Sequence, residues 1–137
     1  LGWGHGERLL TLAPLPSAPV LLLTPPIPVR TTEAYRWLDE SRATPVVRGG
    51  LRLDTAVLGG WSDIARMAGN DFESPVFGRL PTVRAAFEAL VRTGPLLCRM
   101  TGSGSTLFAV YRSEQDRDDA RTLLGKKHGI ATSTRTL

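Results

Sequence analysis

The chain is short of cysteine, lysine, histidine and long apolar runs, and each scarcity removes a class of function. The lone cysteine, Cys98, excludes an internal disulfide. In Leu96-Leu97-Cys98 it reads as a small buried hydrophobe on a strand, and the composition fits a reducing, cytoplasmic compartment. His5 and His128 lie far apart, with no Cys or His at ligand spacing, so a metal centre of the zinc type is not expected. No apolar run approaches the roughly 20 residues of a membrane span, and no signal peptide is visible. Only Lys126 and Lys127 are lysines among 17 basic residues, and the net charge of +4 is scattered. A nucleic-acid face calls for a basic stripe interleaved with aromatics. Arginines alternate instead with acids, as in Glu114 to Arg121. Neither nucleic acid nor membrane is an expected partner. Gly-x-Ser-x-Gly, Gly-x-x-x-x-Gly-Lys-Ser/Thr and Gly-x-Gly-x-x-Gly are all missing, which removes the hydrolase elbow, the Walker loop and the dinucleotide fingerprint.

What remains is a soluble-type composition, 42% hydrophobic and 22% charged over 137 residues, enough for one domain with a core. The chain begins at Leu1 rather than Met and is read as a piece of a longer protein. Its densest motif is Thr101-Gly102-Ser103-Gly104-Ser105-Thr106, between the apolar runs Pro95 to Met100 and Leu107 to Tyr111. Glycines at 102 and 104 remove Cβ at alternate positions. Backbone N–H groups there can turn toward an anion or pack against another backbone.

Around this loop the pattern predicts strands over Glu7 to Ala13 and over Val20 to Thr24, the latter buried on both faces. Pro25-Pro26-Ile27-Pro28 must be extended. A short helix follows, with Thr31 as its cap and Glu33 in its first turn. Ser41 to Asp54 reads as an exposed loop, and Thr55 to Ala68 as a helix weakened by Gly59-Gly60. Asn70-Asp71-Phe72-Glu73 reads as a helix start capped by Asn70 or Asp71. Pro81 opens an amphipathic helix through Val83, Ala86, Phe87, Leu90 and Val91, ended at Gly94-Pro95. Ser113 and Asp116 resemble a capping box for a helix that runs to Leu124 and stops at Gly125. Gly129 to Thr136 reads as a last polar strand. Elements that cluster rather than alternate favour an α+β fold, an antiparallel sheet with helices on one face.

Four segments in order, Gly4-x-Gly6-Glu7, Thr31-Thr32-Glu33-Ala34-Tyr35, Asn70-Asp71-Phe72-Glu73 and Met100 to Phe108, resemble the C-terminal half of GHMP kinases. The resemblance is to the branch that phosphorylates 4-diphosphocytidyl-2-C-methyl-D-erythritol. It covers nearly the whole chain and implies one domain over residues 1–137, a ferredoxin-like four-stranded antiparallel sheet covered by helices. It implies that Gly102, Ser103 and Gly104 line the cleft between two domains. Tyr35 would stack on the substrate's cytosine, with Thr31 near the same cleft. ATP and Mg2+ belong to the full enzyme and to an N-terminal domain that has no counterpart here. No catalytic residue is expected in this chain, and no cofactor is expected on it alone. The alternatives are another GHMP kinase, acting on a sugar or homoserine, and a stand-alone ferredoxin-like ligand-binding module.

Overall fold

The computed structural model describes residues 2–3, 8–9, 14–42 and 59–137. Strands β1 (Gly2–Trp3) and β2 (Arg8–Leu9) form a short antiparallel pair. The rest of the predicted Glu7 to Ala13 strand lies outside the described residues, as does the greater part of the Ser41 to Asp54 loop.

The main sheet has four strands, β3 (Pro19–Thr24), β4 (Leu97–Met100), β5 (Leu107–Val110) and β6 (Ile130–Arg135). They lie in the order β4-β5-β3-β6, every neighbour antiparallel. That is the ferredoxin-like order, and the fold is α+β. The apolar run of β3 suits its central place, where both faces are covered; Val20, Leu21 and Leu23 are buried. β6 carries Thr132, Ser133, Thr134 and Arg135 and is an edge strand. Polar edges of this kind discourage pairing with other chains.

Side-chain alternation divides the core in two. Leu21, Leu23, Cys98, Met100, Leu107, Ala109 and Tyr111 face one way. Four helices cover them: α1 (Thr31–Ser41), α3 (Glu73–Arg79), α4 (Pro81–Val91) and α5 (Glu114–Leu124). Each fully buried leucine contributes about 1.5–3 kcal/mol of apolar transfer. On the other face Val20, Leu97 and Val110 meet Trp61, Ile64 and Ala65 of α2 (Trp61–Met67). Helices therefore lie on both faces, not one: the 3.6-residue period marks an apolar stripe but carries no information about which sheet face it meets. α2 is also shorter than predicted. Gly59 and Gly60 are bends, and Gly60 is the residue before the first helical turn. Residues 55–58 lie outside the described residues.

Pro81 opens α4, and the Ser113 hydroxyl accepts the Asp116 N–H at 3.1 Å to cap α5. Gly125 ends α5.

Candidate functional site

The loop of residues 101–106 joins the edge strand β4 to β5. Its neck is closed by the Thr101 N–H donating to the Thr106 carbonyl at 2.9 Å, and its tip by the Gly104 N–H donating to the Thr101 carbonyl at 3.1 Å. Gly102 and Gly104 both have positive φ, +53° and +92°, a region side-chain-bearing residues rarely adopt. The two glycines face different surroundings. A Cβ at Gly102 would meet nothing within 4 Å, whereas at Gly104 it would lie 2.6 Å from the Sδ of Met100. Met100 is only 2% exposed. Gly104 therefore lets the loop fold down onto a buried side chain, and Gly102 leaves its side open.

Three elements meet this loop. The Pro25 to Val29 segment runs along Gly104, Ser105 and Thr106, with a groove between them. The start of α1 brings the Thr31 hydroxyl to 3.2 Å from that of Ser103. Thr31 is not the helix cap. Arg30 holds the capping position without a side-chain bond, and Thr31 is the first helical residue. Its hydroxyl is turned to the loop. The third element is the turn into α3. The Asn70 carbonyl oxygen Oδ1 accepts the Phe72 N–H at 2.9 Å, a local side-chain turn, but Phe72 is the residue that precedes the first helical one. The Asn70 amide is used elsewhere. Nδ2 donates to the Met100 carbonyl at 2.7 Å and to the Gly102 carbonyl at 2.8 Å. Glu73 Oε1 accepts the Met100 N–H at 2.8 Å. The capping reading holds in part. Phe72 holds the position before α3, but the Asn70 side chain, with the Asn70 backbone carbonyl accepting the Glu73 N–H at 3.0 Å, caps the turn at 71–72 that leads into the helix. Asn70 and Glu73 also bond to the loop's base.

Tyr35 stands one turn along α1 from Thr31. It is 55% exposed, and Phe72 meets its ring edge-on at a centroid distance of 5.0 Å. An open groove of about 610 Å³ joins Tyr35, Phe72, Asn70, Met100, Thr101 and Gly102. The sequence-predicted residues therefore gather at one end of the sheet, Gly102 and Tyr35 in one groove and Ser103 beside Thr31 at its edge.

Two further residues have plain structural roles. Trp37 is half-buried against the core, with the Arg79 guanidinium 5.5 Å over its ring. Burial pushes the Cys98 thiol up to about 12, with the Glu73 charge raising it further and Arg99 opposing. A thiol held so far above neutral pH is not a nucleophile. Among the described residues no group of three His, Cys, Asp or Glu comes together as metal ligands, and no helix is long and apolar enough to cross a membrane.

Sequence reasoning marked Asn70 and Glu73 only as a helix start. The signal available was their place in the ordered motifs that carry the GHMP kinase resemblance.

The family model for the GHMP kinases C terminal matches residues 53–130, more than half of the chain. Curated relatives include a 4-diphosphocytidyl-2-C-methyl-D-erythritol kinase of Novosphingobium aromaticivorans. It is 34% identical over 128 residues, covering 90% of this chain and 40% of the relative. The enzyme of that name from Anaeromyxobacter dehalogenans (strain 2CP-C) is 34% identical over 140 residues, covering 98% and 42%. The chain thus spans less than half the length of these relatives. A solved 4-(cytidine 5'-diphospho)-2C-methyl-D-erythritol kinase superposes with a TM-score of 0.70 at 27% identity, over 96% of this chain and 47% of that one. A homoserine kinase from Cytophaga hutchinsonii shares the fold, with a TM-score of 0.57 at 16% identity. Fold, glycine loop and family model agree, and the chain belongs to the GHMP kinase C-terminal family.

Proposed function

We propose that this chain is the substrate-side domain, residues 1–137, of an ATP-dependent kinase that phosphorylates 4-diphosphocytidyl-2-C-methyl-D-erythritol, a cytoplasmic step of non-mevalonate isoprenoid biosynthesis. An N-terminal domain of the same protein is its partner and carries the nucleotide site. The observation that supports this reading is the groove in which an exposed, edge-braced Tyr35 ring lies beside a pinned glycine loop. Relatives named for the cytidine-linked alcohol support the substrate.

Phosphoryl transfer asks little covalent chemistry of the protein; positioning and charge stabilisation supply the rate. Tyr35 offers an aromatic face to the cytosine, and Phe72 limits the ring's rotation. Thr31 and Ser103 set hydroxyls at the rim, where they can hydrogen-bond a polar substrate group. Gly102, Ser103 and Gly104 bring backbone, unscreened by long side chains, up to the cleft. ATP with Mg2+ supplies the phosphoryl group and neutralises its charge. Among the described residues no three His, Cys, Asp or Glu side chains gather, and Mg2+ on a nucleotide asks for only one or two carboxylates beside the phosphates. The nucleotide and its metal are assigned to the N-terminal domain.

The test is turnover. The full-length protein with ATP should phosphorylate the cytidine-linked alcohol in preference to homoserine or a sugar, and the isolated 137-residue chain should phosphorylate none of them. Preference for another alcohol would overturn the substrate, and stoichiometric kinase activity of the isolated chain would overturn the two-domain reading.

A further inference from the structure

β4 is an edge strand of the sheet, so among the described residues its outward backbone groups have no neighbouring strand to bond. At its last residue, Met100, side chains substitute for that strand. Glu73 accepts the Met100 N–H and Asn70 donates to the Met100 carbonyl, at 2.8 and 2.7 Å. The same Asn70 amide holds the Gly102 carbonyl inside the loop, and its Oδ1 holds the Phe72 N–H. Phe72 in turn braces Tyr35. One residue before Met100, Arg99 donates from Nε to the Ala68 carbonyl at 2.9 Å, tying down the chain that leads into the Asn70 turn. Two independent parts of the groove, the glycine loop and the aromatic wall, thus share a single side chain.

We propose that Asn70 is a positioning residue that fixes the glycine loop relative to the Tyr35–Phe72 wall, with Glu73 completing the grip on Met100. The inference rests on the kinase reading above. It makes the two halves of the Asn70 amide separable. Nδ2 serves the loop, and hence the alignment of the reacting groups. Oδ1 serves the Phe72 turn, and hence the ring that meets the base. Misplacing a reacting group by about 1 Å lowers a rate on the order of a hundredfold.

The experiment compares Asn70→Asp, Asn70→Ala, Glu73→Gln and Glu73→Ala in the full-length protein. Asn70→Asp keeps an acceptor for Phe72 and loses both donors to the loop. It should lower kcat about tenfold to a hundredfold with KM for the cytidine-linked alcohol within about threefold. Asn70→Ala loses both functions and should lower kcat and raise KM together. Glu73→Gln retains an oxygen acceptor and should stay near wild-type kcat, while Glu73→Ala should not. Amide exchange of Met100, which needs no substrate, should be faster in Glu73→Ala than in Glu73→Gln. An Asn70→Asp enzyme with wild-type kcat would overturn the proposal. So would Asn70→Asp and Asn70→Ala that change kcat and KM alike and in step with Tm, the signature of a merely structural residue, or equal Met100 exchange in the two Glu73 variants. Wild-type turnover is the separate control: its failure with the cytidine-linked alcohol sinks the substrate reading, while the exchange arm still reads the grip on Met100.

Discussion

The two ends of the β4–β5 hairpin use the same pair of residue types in opposite ways. At the far end Tyr111 is 1% exposed, and its hydroxyl lies 2.7 Å from that of Thr93, which also bonds the Leu90 carbonyl three residues back. At the loop end Tyr35 is 55% exposed, and Thr31 meets a serine of the loop rather than its own helix. The far end satisfies its polar groups locally and buries its ring, as a stabilising core does. The loop end leaves aromatic area in solvent and fixes backbone with side chains from distant elements. That arrangement forgoes the transfer free energy of a buried ring, and it leaves a shaped, polar-edged surface open. On the proposed function, the contrast separates what holds this domain together from what it holds out to a substrate.

The sharpest way to break the contrast is Gly104→Val. The added branch would run into the buried Met100 sulfur at a φ of +92°, and the domain should lose about 3 kcal/mol together with nearly all kinase turnover. Normal Tm and turnover would show that the loop does not rest on Met100.

Alkaline pH probes the buried side. The Cys98 thiol sits at about 12 when folded against an ordinary 9.0, so its contribution to stability is complete below about pH 9 and is lost as pH rises toward 12. Burial raises the Tyr111 phenol as well, in the same sense. By pH 10.5 the Cys98 contribution has fallen by about 2 kcal/mol, and Cys98→Ala should flatten that part of a Tm-against-pH curve. An unchanged alkaline slope would place the thiol in solvent.

Tyr111→Phe removes one buried hydroxyl while Thr93 keeps Leu90. It should lower stability by about 1 kcal/mol in denaturant melts and leave kcat and KM alone. A KM effect there would erase the division between the two ends. Thr31→Val is the mildest test: an exposed hydroxyl pair at 3.2 Å should matter by less than about 0.5 kcal/mol to stability, so any larger change in kcat/KM belongs to the cleft.

How much of this the sequence discloses follows distance along the chain. β3, β5, α4 and α5 stand where local signals put them, within a residue or so of the predicted bounds, because an apolar run, a proline at a first turn and a serine cap act over a few residues. The loop glycines and Tyr35 are conspicuous for the same reason, and the structure gathers them at one end. By local signals Asn70 and Thr31 read as caps, since each has a cap-forming side chain at a helix start, and only the family resemblance set Thr31 near the cleft. What redirects them is a free strand edge and a loop serine, 30 and 72 residues away in the chain. The sheet face chosen by α2 is hidden likewise, because a stripe of Trp61, Ile64 and Ala65 fits either side of a sheet.

The most direct test of the account is the KM for 4-diphosphocytidyl-2-C-methyl-D-erythritol of full-length Tyr35→Ala, measured beside its Tm. Loss of one stacking face should raise KM by the equivalent of about 1–3 kcal/mol while Tm stays within a degree or two of wild type. An unchanged KM, or a Tm that falls as a buried ring's would, contradicts the claim that this end of the domain is built for a substrate.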